Sequence, residues 1–488
     1  MRMNQAIHAT PSFRVLSIDQ IEMIYSAALE IMQRTGARVF HEEGVEILRK
    51  GGAVISDGNL VKVPPSMVKQ ALASCPGRIT LSGRNGNRSI HLQNNEVYFG
   101  TGSDCPYIYD ADTGKRRRYT RRDVEDAARL ADALEQIDFF MSVGLVSDVP
   151  HHQTYDRHQF MAMVTNITKP LVLTAVDGRG LSDLHDMACR IRGGEEELRL
   201  NPLFAIYIEP TSPLKHTRTA VEKLLFGAEK HIPIIYTPCP SAGGTAPATL
   251  AAMLAQDLAE TLLGLVMAQV KNPGTPIIMG GVQTIMDLRT SAYSYGAPEL
   301  SLASAASTDI SRWLGLPMFS TGGCSDAKVV DAQAAAEATT SLFSAMLSGA
   351  SLIHDVGYLD SGLNGSYEML VLCDEIIAML KRIGRGISVN PDTLGVDVIH
   401  QVGPGGQFLS CEHTFQHFRT EHWAPGLIDR FDYESWKARG SLRIEDRVRE
   451  RVRKILAEHH PEPMSEKLTD ELKAIVDRAD KEQGASTV

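Results

Sequence analysis

At 488 residues the chain is too long for a small module and fits either roughly three domains or one large α/β barrel with additions. Hydrophobic residues at 43% and charged residues at 22% exclude disordered and fibrous classes. Lys plus Arg at 49 against Asp plus Glu at 59 gives a net charge of -10, which argues against nucleic acid or an anionic membrane as partner.

The first segment, MRMNQAIHATPSF, has no apolar leader core, and the most apolar long stretch, 258–270, contains Glu260 and is short for a bilayer. A cytoplasmic protein is expected. Seven cysteines without a CxxC pair suit reduced thiols rather than a disulfide framework. Residues 1–95 read as an α+β cap. Ser17 caps a helix with apolar residues at Ile21, Ile24, Ala28 and Ile31 that closes on Gly36. A second helix follows Pro64-Pro65, and RITLSGRNGNRSIHL alternates around Asn85-Gly86 as a β-hairpin does.

From Val97 short apolar runs alternate with helical patterns. Strands are expected at 97–100, 137–145, 170–175, 203–209, 233–238, 276–280, 318–321 and 352–356, with a helix after each. Eight such units over 96–385 predict a (β/α)8 barrel as the catalytic domain. The alternative, an open doubly wound sheet, lacks a glycine fingerprint after its first strand. Residues 386–488 turn charged and helical and are expected to pack on the barrel's outside or on a partner subunit, in a homo-oligomer.

Barrel active sites gather at the C-terminal strand ends. Here those ends are GTGSDCPYIYD, IEPTSP, YTPCPSAGG, MGGVQT, STGGCSDAK and HDVGYLDSG, rich in Gly, Ser and Thr and without a nucleophilic triad. His354 and Asp326 stand just past the eighth and seventh runs as candidate catalytic contacts, although Asp326 is equally suited to cap the next helix. Strand alternation predicts that only one of His354 and Asp355 faces the barrel mouth. Lys328 raises a Schiff-base lyase as an alternative to a plain solvated lysine. Cys239, Cys324 and His354 are of the type zinc takes, but no local ligand spacing supports a metal, and none is expected.

Tyr98, Phe99, Tyr107, Tyr109, Tyr207, Tyr236, Tyr295 and Tyr358 are the aromatics nearest the expected mouth. Ring faces attract a quaternary ammonium, which has no hydrogen to donate, and Tyr98 and Tyr358 are the first choices for walls. Gly243 and Gly244 offer backbone amides to a substrate carboxylate, and Gln283 a side-chain amide. The basic run Lys115 to Arg122 is read as a solvated loop or a dock for an acidic partner, with Thr120 and Asp123 opening a helix. Gly403 to Trp423, with His413, His417 and His422, is read as a lid.

Five long motifs carry a resemblance: VPPSMVKQALASCPGRITLSGRN at 63–85, TGKRRRYTRRDVEDAARLADAL at 113–134, STGGCSDAKVVDAQAAAEA at 320–338, LIHDVGYLDSGLNGSYEMLVLCDEII at 352–377 and VGPGGQFLSCEHTFQHFR at 402–419. By these the chain resembles the trimethylamine methyltransferase superfamily, in its branch without pyrrolysine that includes glycine betaine methyltransferases. The resemblance implies a barrel that moves a methyl group from a methylated amine to the Co(I) of a corrinoid on a separate protein, with tetrahydrofolate as the eventual acceptor in many bacteria. Only standard residues occur here, so trimethylamine is not the expected donor. Glycine betaine, carnitine or proline betaine is, because a quaternary nitrogen already leaves as a neutral tertiary amine. A betaine-binding protein without turnover is the non-enzymatic alternative.

Overall fold

A computed structural model describes residues 11–93, 95–110 and 113–486. The leaderless start expected at residues 1–10 lies outside them. Seven of the expected runs form one parallel sheet: β1 Tyr98–Thr101, β2 Leu171–Leu173, β3 Phe204–Ile208, β4 Ile234–Tyr236, β5 Ile277–Gly280, β6 Met318–Thr321 and β7 Leu352–Val356. They lie in the order β1-β7-β6-β5-β4-β3-β2. Their near-continuous apolar character follows from burial on both faces, as in Phe204–Ile208.

The expected strand at 137–145 pairs less than the others. Gly100 bridges Phe139 and Phe140 bridges Leu171, both in parallel, which closes the ring between β1 and β2 and gives a (β/α)8-type barrel. Side chains interrupt this ladder: the Asp138 carboxylate accepts the Phe99 amide at 2.9 Å, and the Thr101 hydroxyl accepts the Met141 amide at 2.8 Å. Below the segment, the Lys169 ammonium donates to the carbonyls of Ala131, Leu134 and Ile137 at 2.5–2.6 Å. It ties the end of helix Arg121–Ala133 to the start of the bridged segment.

The barrel interior holds Phe139, Val172, Ala205, Ile235, Ile278, Phe319 and Leu352, and the hairpin Ile79–Ser82/Ser89–Leu92 closes its N-terminal end with Ile79, Leu81, Ile90 and Leu92. Helix Ile18–Glu30 starts at a Ser17 capping box, continues as a π-helical turn over Ile31–Thr35 and ends at Gly36, φ +74°. The apolar stretch around 258–270 belongs to a longer helix, Leu250–Lys271, whose 22 residues satisfy length and composition for a membrane span. Of its most apolar window 83% is buried inside the fold. It packs against helices Ile18–Glu30, Glu42–Lys50, Pro65–Ser74 and Arg218–Glu229, and is apolar all round because it is covered all round.

Toward the C-terminus, Ile444–Glu458 packs on Tyr367–Gly384 and Arg121–Ala133, while Glu466–Ser486 packs on Tyr155–Thr165 and Gly178–Arg192. Polar ties hold both helices down: His459 Nε2 to Asp132 at 2.9 Å, His158 Nε2 to Asp480 at 2.9 Å and Arg478 to Asp183 at 2.8 Å. All seven cysteines are free thiols.

Candidate active site

A cavity of about 400 Å³ opens at the C-terminal end of the barrel. β3 supplies Tyr207 and the residue beyond its end, Glu209. The turns after β1 and β4 supply Ser103, Asp104 and Cys239, and the bridged segment gives Met141. The excursion after β5 contributes Val282, Tyr293 and Tyr295, and β7 with its following turn contributes His354, Asp355, Tyr358, Ser361 and Gly362.

Two groups of rings shape it. Tyr295 meets Tyr293 edge-on at 5.6 Å between centroids and Tyr358 at 6.2 Å. On the other side Tyr207 lies 6.5 Å from His354, which stacks on Phe319 at 3.9 Å. Burial pushes the phenols of Tyr207, Tyr293, Tyr295 and Tyr358 well above their ordinary range, so the rings are neutral. Their hydroxyls are tethered: Tyr293 donates to the Val282 carbonyl at 2.6 Å, Tyr358 to the Ser103 carbonyl, and Tyr207 to Glu209 at 3.1 Å.

His354 is buried, and burial lowers its imidazole to about 3. The neutral ring donates from Nδ1 to the Ser320 carbonyl at 2.8 Å, which leaves Nε2 as a lone-pair acceptor. Asp355 also lines the cavity, against the strict alternation expected of the pair. A register shift between Ile353 and Val356 and a left-handed φ of +74° at Asp355 turn its side chain to the same side. Asp355 is 2% exposed, and its Oδ2 lacks a hydrogen-bonded partner, lying 3.3 Å from His354 Nε2 without alignment. Burial raises its carboxyl well above the carboxylate range. Asp104 and Glu209 also line the cavity, both exposed to solvent, and desolvation raises both carboxyls. Asp104, at φ +69°, and Ser361, at φ +55°, add two more left-handed residues to the wall. Such strain is held where the surrounding structure fixes a functional side chain.

The other expected contacts fall elsewhere. Tyr98 sits at the opposite end of the barrel, its hydroxyl donating to Glu96 at 2.7 Å and accepting from the His91 amide at 3.1 Å, so it packs on the hairpin plug. Gln283 is fully buried behind Val282 and donates to Asp257 at 2.7 Å and Ser307 at 3.0 Å. The amides of Gly243 and Gly244 are bonded within their own turn, to Ala246 and Ser241 carbonyls, and do not face the cavity. Asp326 does not reach the cavity and does not cap the next helix, a role taken by Asp331. It accepts from the Ser294 hydroxyl, from the Tyr295 amide at 2.7 Å and from the Ser361 hydroxyl at 2.7 Å, tying two walls together.

Lys328 is exposed, donates to the Asp326 carbonyl at 2.7 Å and pairs with Asp360, a placement that offers no burial to activate a Schiff-base amine. Cys239 lines the cavity while Cys324 is buried beside the Tyr295 carbonyl; among the described residues no three His, Cys, Asp or Glu side chains form a metal-binding cluster. Of the expected aromatics, Tyr207, Tyr295 and Tyr358 line the cavity. Tyr236 lies behind it, 2.6 Å from His216 Nδ1. Arg116 and Arg117 pair with Asp360, Asp110 and Asp123, and Arg116 lies over Tyr107 at 4.0 Å. The expected lid contributes no lining residue; its helix Glu412–Glu421 bonds to Arg382 and Arg385. Asp104, Glu209, Tyr293 and Asp355 were not singled out as contacts. The signal for two of them was present, a charged residue at a barrel strand end in GTGSDC and IEPTSP.

The family model for trimethylamine methyltransferase matches residues 1–484. The chain belongs to the trimethylamine methyltransferase family. It is 34% identical over 471 residues to a trimethylamine methyltransferase of Desulfitobacterium hafniense (strain DSM 10664 / DCB-2), covering 96% of this chain and 95% of that protein. It is 32% identical over 477 residues to a glycine betaine methyltransferase of D. hafniense (strain Y51), covering 97% and 98%. Among solved structures, the Methanosarcina barkeri monomethylamine methyltransferase superposes with a TM-score of 0.52 at 12% identity, over 92% of this chain and 88% of that one, a match of fold. Like its relatives, this family member is a methyltransferase.

Proposed function

We propose that this methyltransferase takes a methyl group from a quaternary ammonium compound and delivers it to the Co(I) of a corrinoid carried by a separate cytoplasmic protein. The observation that supports it is the wall of four neutral tyrosines around a buried Asp355 carboxyl whose Oδ2 has no hydrogen bond. Ring faces stabilise a fixed positive nitrogen by roughly 0.5 to 2 kcal/mol each without needing a donor from it, and that charge favours the ionised form of the Asp355 carboxyl, which burial alone disfavours. A betaine is one class of such donor, and a relative is a glycine betaine methyltransferase.

At about 400 Å³ the cavity is of a size for a small amine, with the acceptor presented at its mouth. The methyl carbon passes to Co(I), whose electron pair forms the new bond, and the C–N pair leaves with nitrogen as a neutral tertiary amine. No proton moves at nitrogen, so this chain's residues have positioning work: the tyrosines and Asp355 hold the cation, and the tethered hydroxyls fix the rings. The test mixes the enzyme with a reduced corrinoid protein and follows the methyl–cobalt absorbance for glycine betaine, carnitine, proline betaine, choline, tetramethylammonium and trimethylamine. Methylation from a quaternary compound is expected; methylation from trimethylamine alone refutes the reading.

A further inference from the structure

We infer that Asp355, with Asp104 and Glu209, sets the specificity of this cavity for a quaternary ammonium whose remaining arm is neutral, alkyl or hydroxylated, and against one bearing a carboxylate. The inference rests on the quaternary-amine reading above and names the substrate class within it. Among the described residues three acids line the cavity, and no Lys or Arg side chain does. Lys223, whose charge reaches Asp104 and Glu209, is bonded to the Ala175 carbonyl at 2.9 Å and is not part of the lining.

A fixed positive nitrogen in this space favours the ionised form of these acids, against the upward push of burial, whereas a substrate carboxylate beside them favours only the neutral form and finds no cation in the lining. The backbone amides best placed in the sequence to take that carboxylate, at Gly243 and Gly244, are bonded in their own turn. Asp355 is the central determinant because the residue is buried and lines the cavity, and its Oδ2 lacks a hydrogen bond. Its left-handed backbone and the missing Cβ at Gly102 both serve to place it: a Cβ there would meet Asp355 Oδ1 at 2.2 Å. A hydroxyl or alkyl arm has polar and apolar neighbours in Ser103, Met141 and Val282.

Isothermal titration of the full-length protein with choline, tetramethylammonium and glycine betaine tests this without any variant. Choline or tetramethylammonium should bind at least tenfold more tightly than glycine betaine, a gap of about 1.4 kcal/mol. Glycine betaine binding as tightly or more so overturns the inference and leaves the quaternary-amine reading standing; binding of none of the three overturns the inference, and carnitine and proline betaine failing as well overturns that reading itself. Asp355→Asn, checked for an unchanged thermal melt, should shrink the gap severalfold by weakening the neutral-arm ligands more than the betaine. An Asp355→Asn protein that melts normally and keeps the full gap removes Asp355 as the determinant. If that variant does not fold, Glu209→Gln carries the same test from the open wall.

Discussion

Gly102→Ala adds one carbon where the cavity is tightest. The new Cβ lies 2.2 Å from Asp355 Oδ1 and 2.4 Å from both Cζ and Oη of Tyr358, against 3.4 Å for ordinary contact, so these groups must give way by about 1 Å. Tyr358 cannot swing freely, because its hydroxyl is bonded to the Ser103 carbonyl, and that bond contributes about 1 kcal/mol. Asp355 is held by its own bulge. Overpacking of this kind costs about 1–3 kcal/mol of stability, which a protein of this size survives. The effect on function is larger, since a displacement of ~1 Å in a positioned site costs on the order of 10²-fold. A folded Gly102→Ala protein should therefore melt a few degrees lower and lose at least tenfold in affinity for a quaternary ammonium by titration calorimetry. Wild-type affinity in that variant would show that Asp355 and Tyr358 do not hold the ligand.

Tyr295→Leu removes a ring in contact with Tyr293 and Tyr358 and should weaken cation binding by roughly 2- to 30-fold, the equivalent of 0.5–2 kcal/mol, whereas Tyr295→Phe should stay near wild type; equal losses in both would sink the ring argument. Asp326→Ala releases the Tyr295 amide and two hydroxyls, so KM should rise more than kcat falls, with a stability loss of about 1–3 kcal/mol in a denaturant melt. His216 and His354 are both buried neutral and lowered to about 3, against about 6.5 unfolded, so each contributes stability that is present above pH 6.5 and is lost as pH falls toward 3, by about 1.4 kcal/mol per pH unit. Melting temperature should fall over that window, and His216→Gln should flatten the slope; an unchanged slope would count against burial as the cause.

The barrel was legible because its strands, covered on both faces, appear in sequence as short continuous apolar runs at regular spacing, and seven of them are strands. The hairpin and the capped first helix were legible for the same kind of reason: Asn85-Gly86 and Ser17 act locally. Strand ends also pointed to His354 and Tyr358, which the fold brings to one cavity. Tyr98 failed because it opens its strand: at ~3.3 Å per residue it lies about 10 Å below Thr101, where the hairpin supplies its partners. Gln283 was drawn away by Asp257, on a helix 26 residues earlier, a partner no local pattern announces. Asp355 depended on tertiary structure most. Alternation assigns it the face opposite to His354, and only the bulge against β1, where Val356 pairs with Thr101, forces the left-handed turn that sends both side chains into the cavity. Composition and periodicity are sums over neighbours in the chain and so determine the barrel; the direction of a single carboxylate is decided by contacts between strands some 250 residues apart, from Val356 back to Thr101.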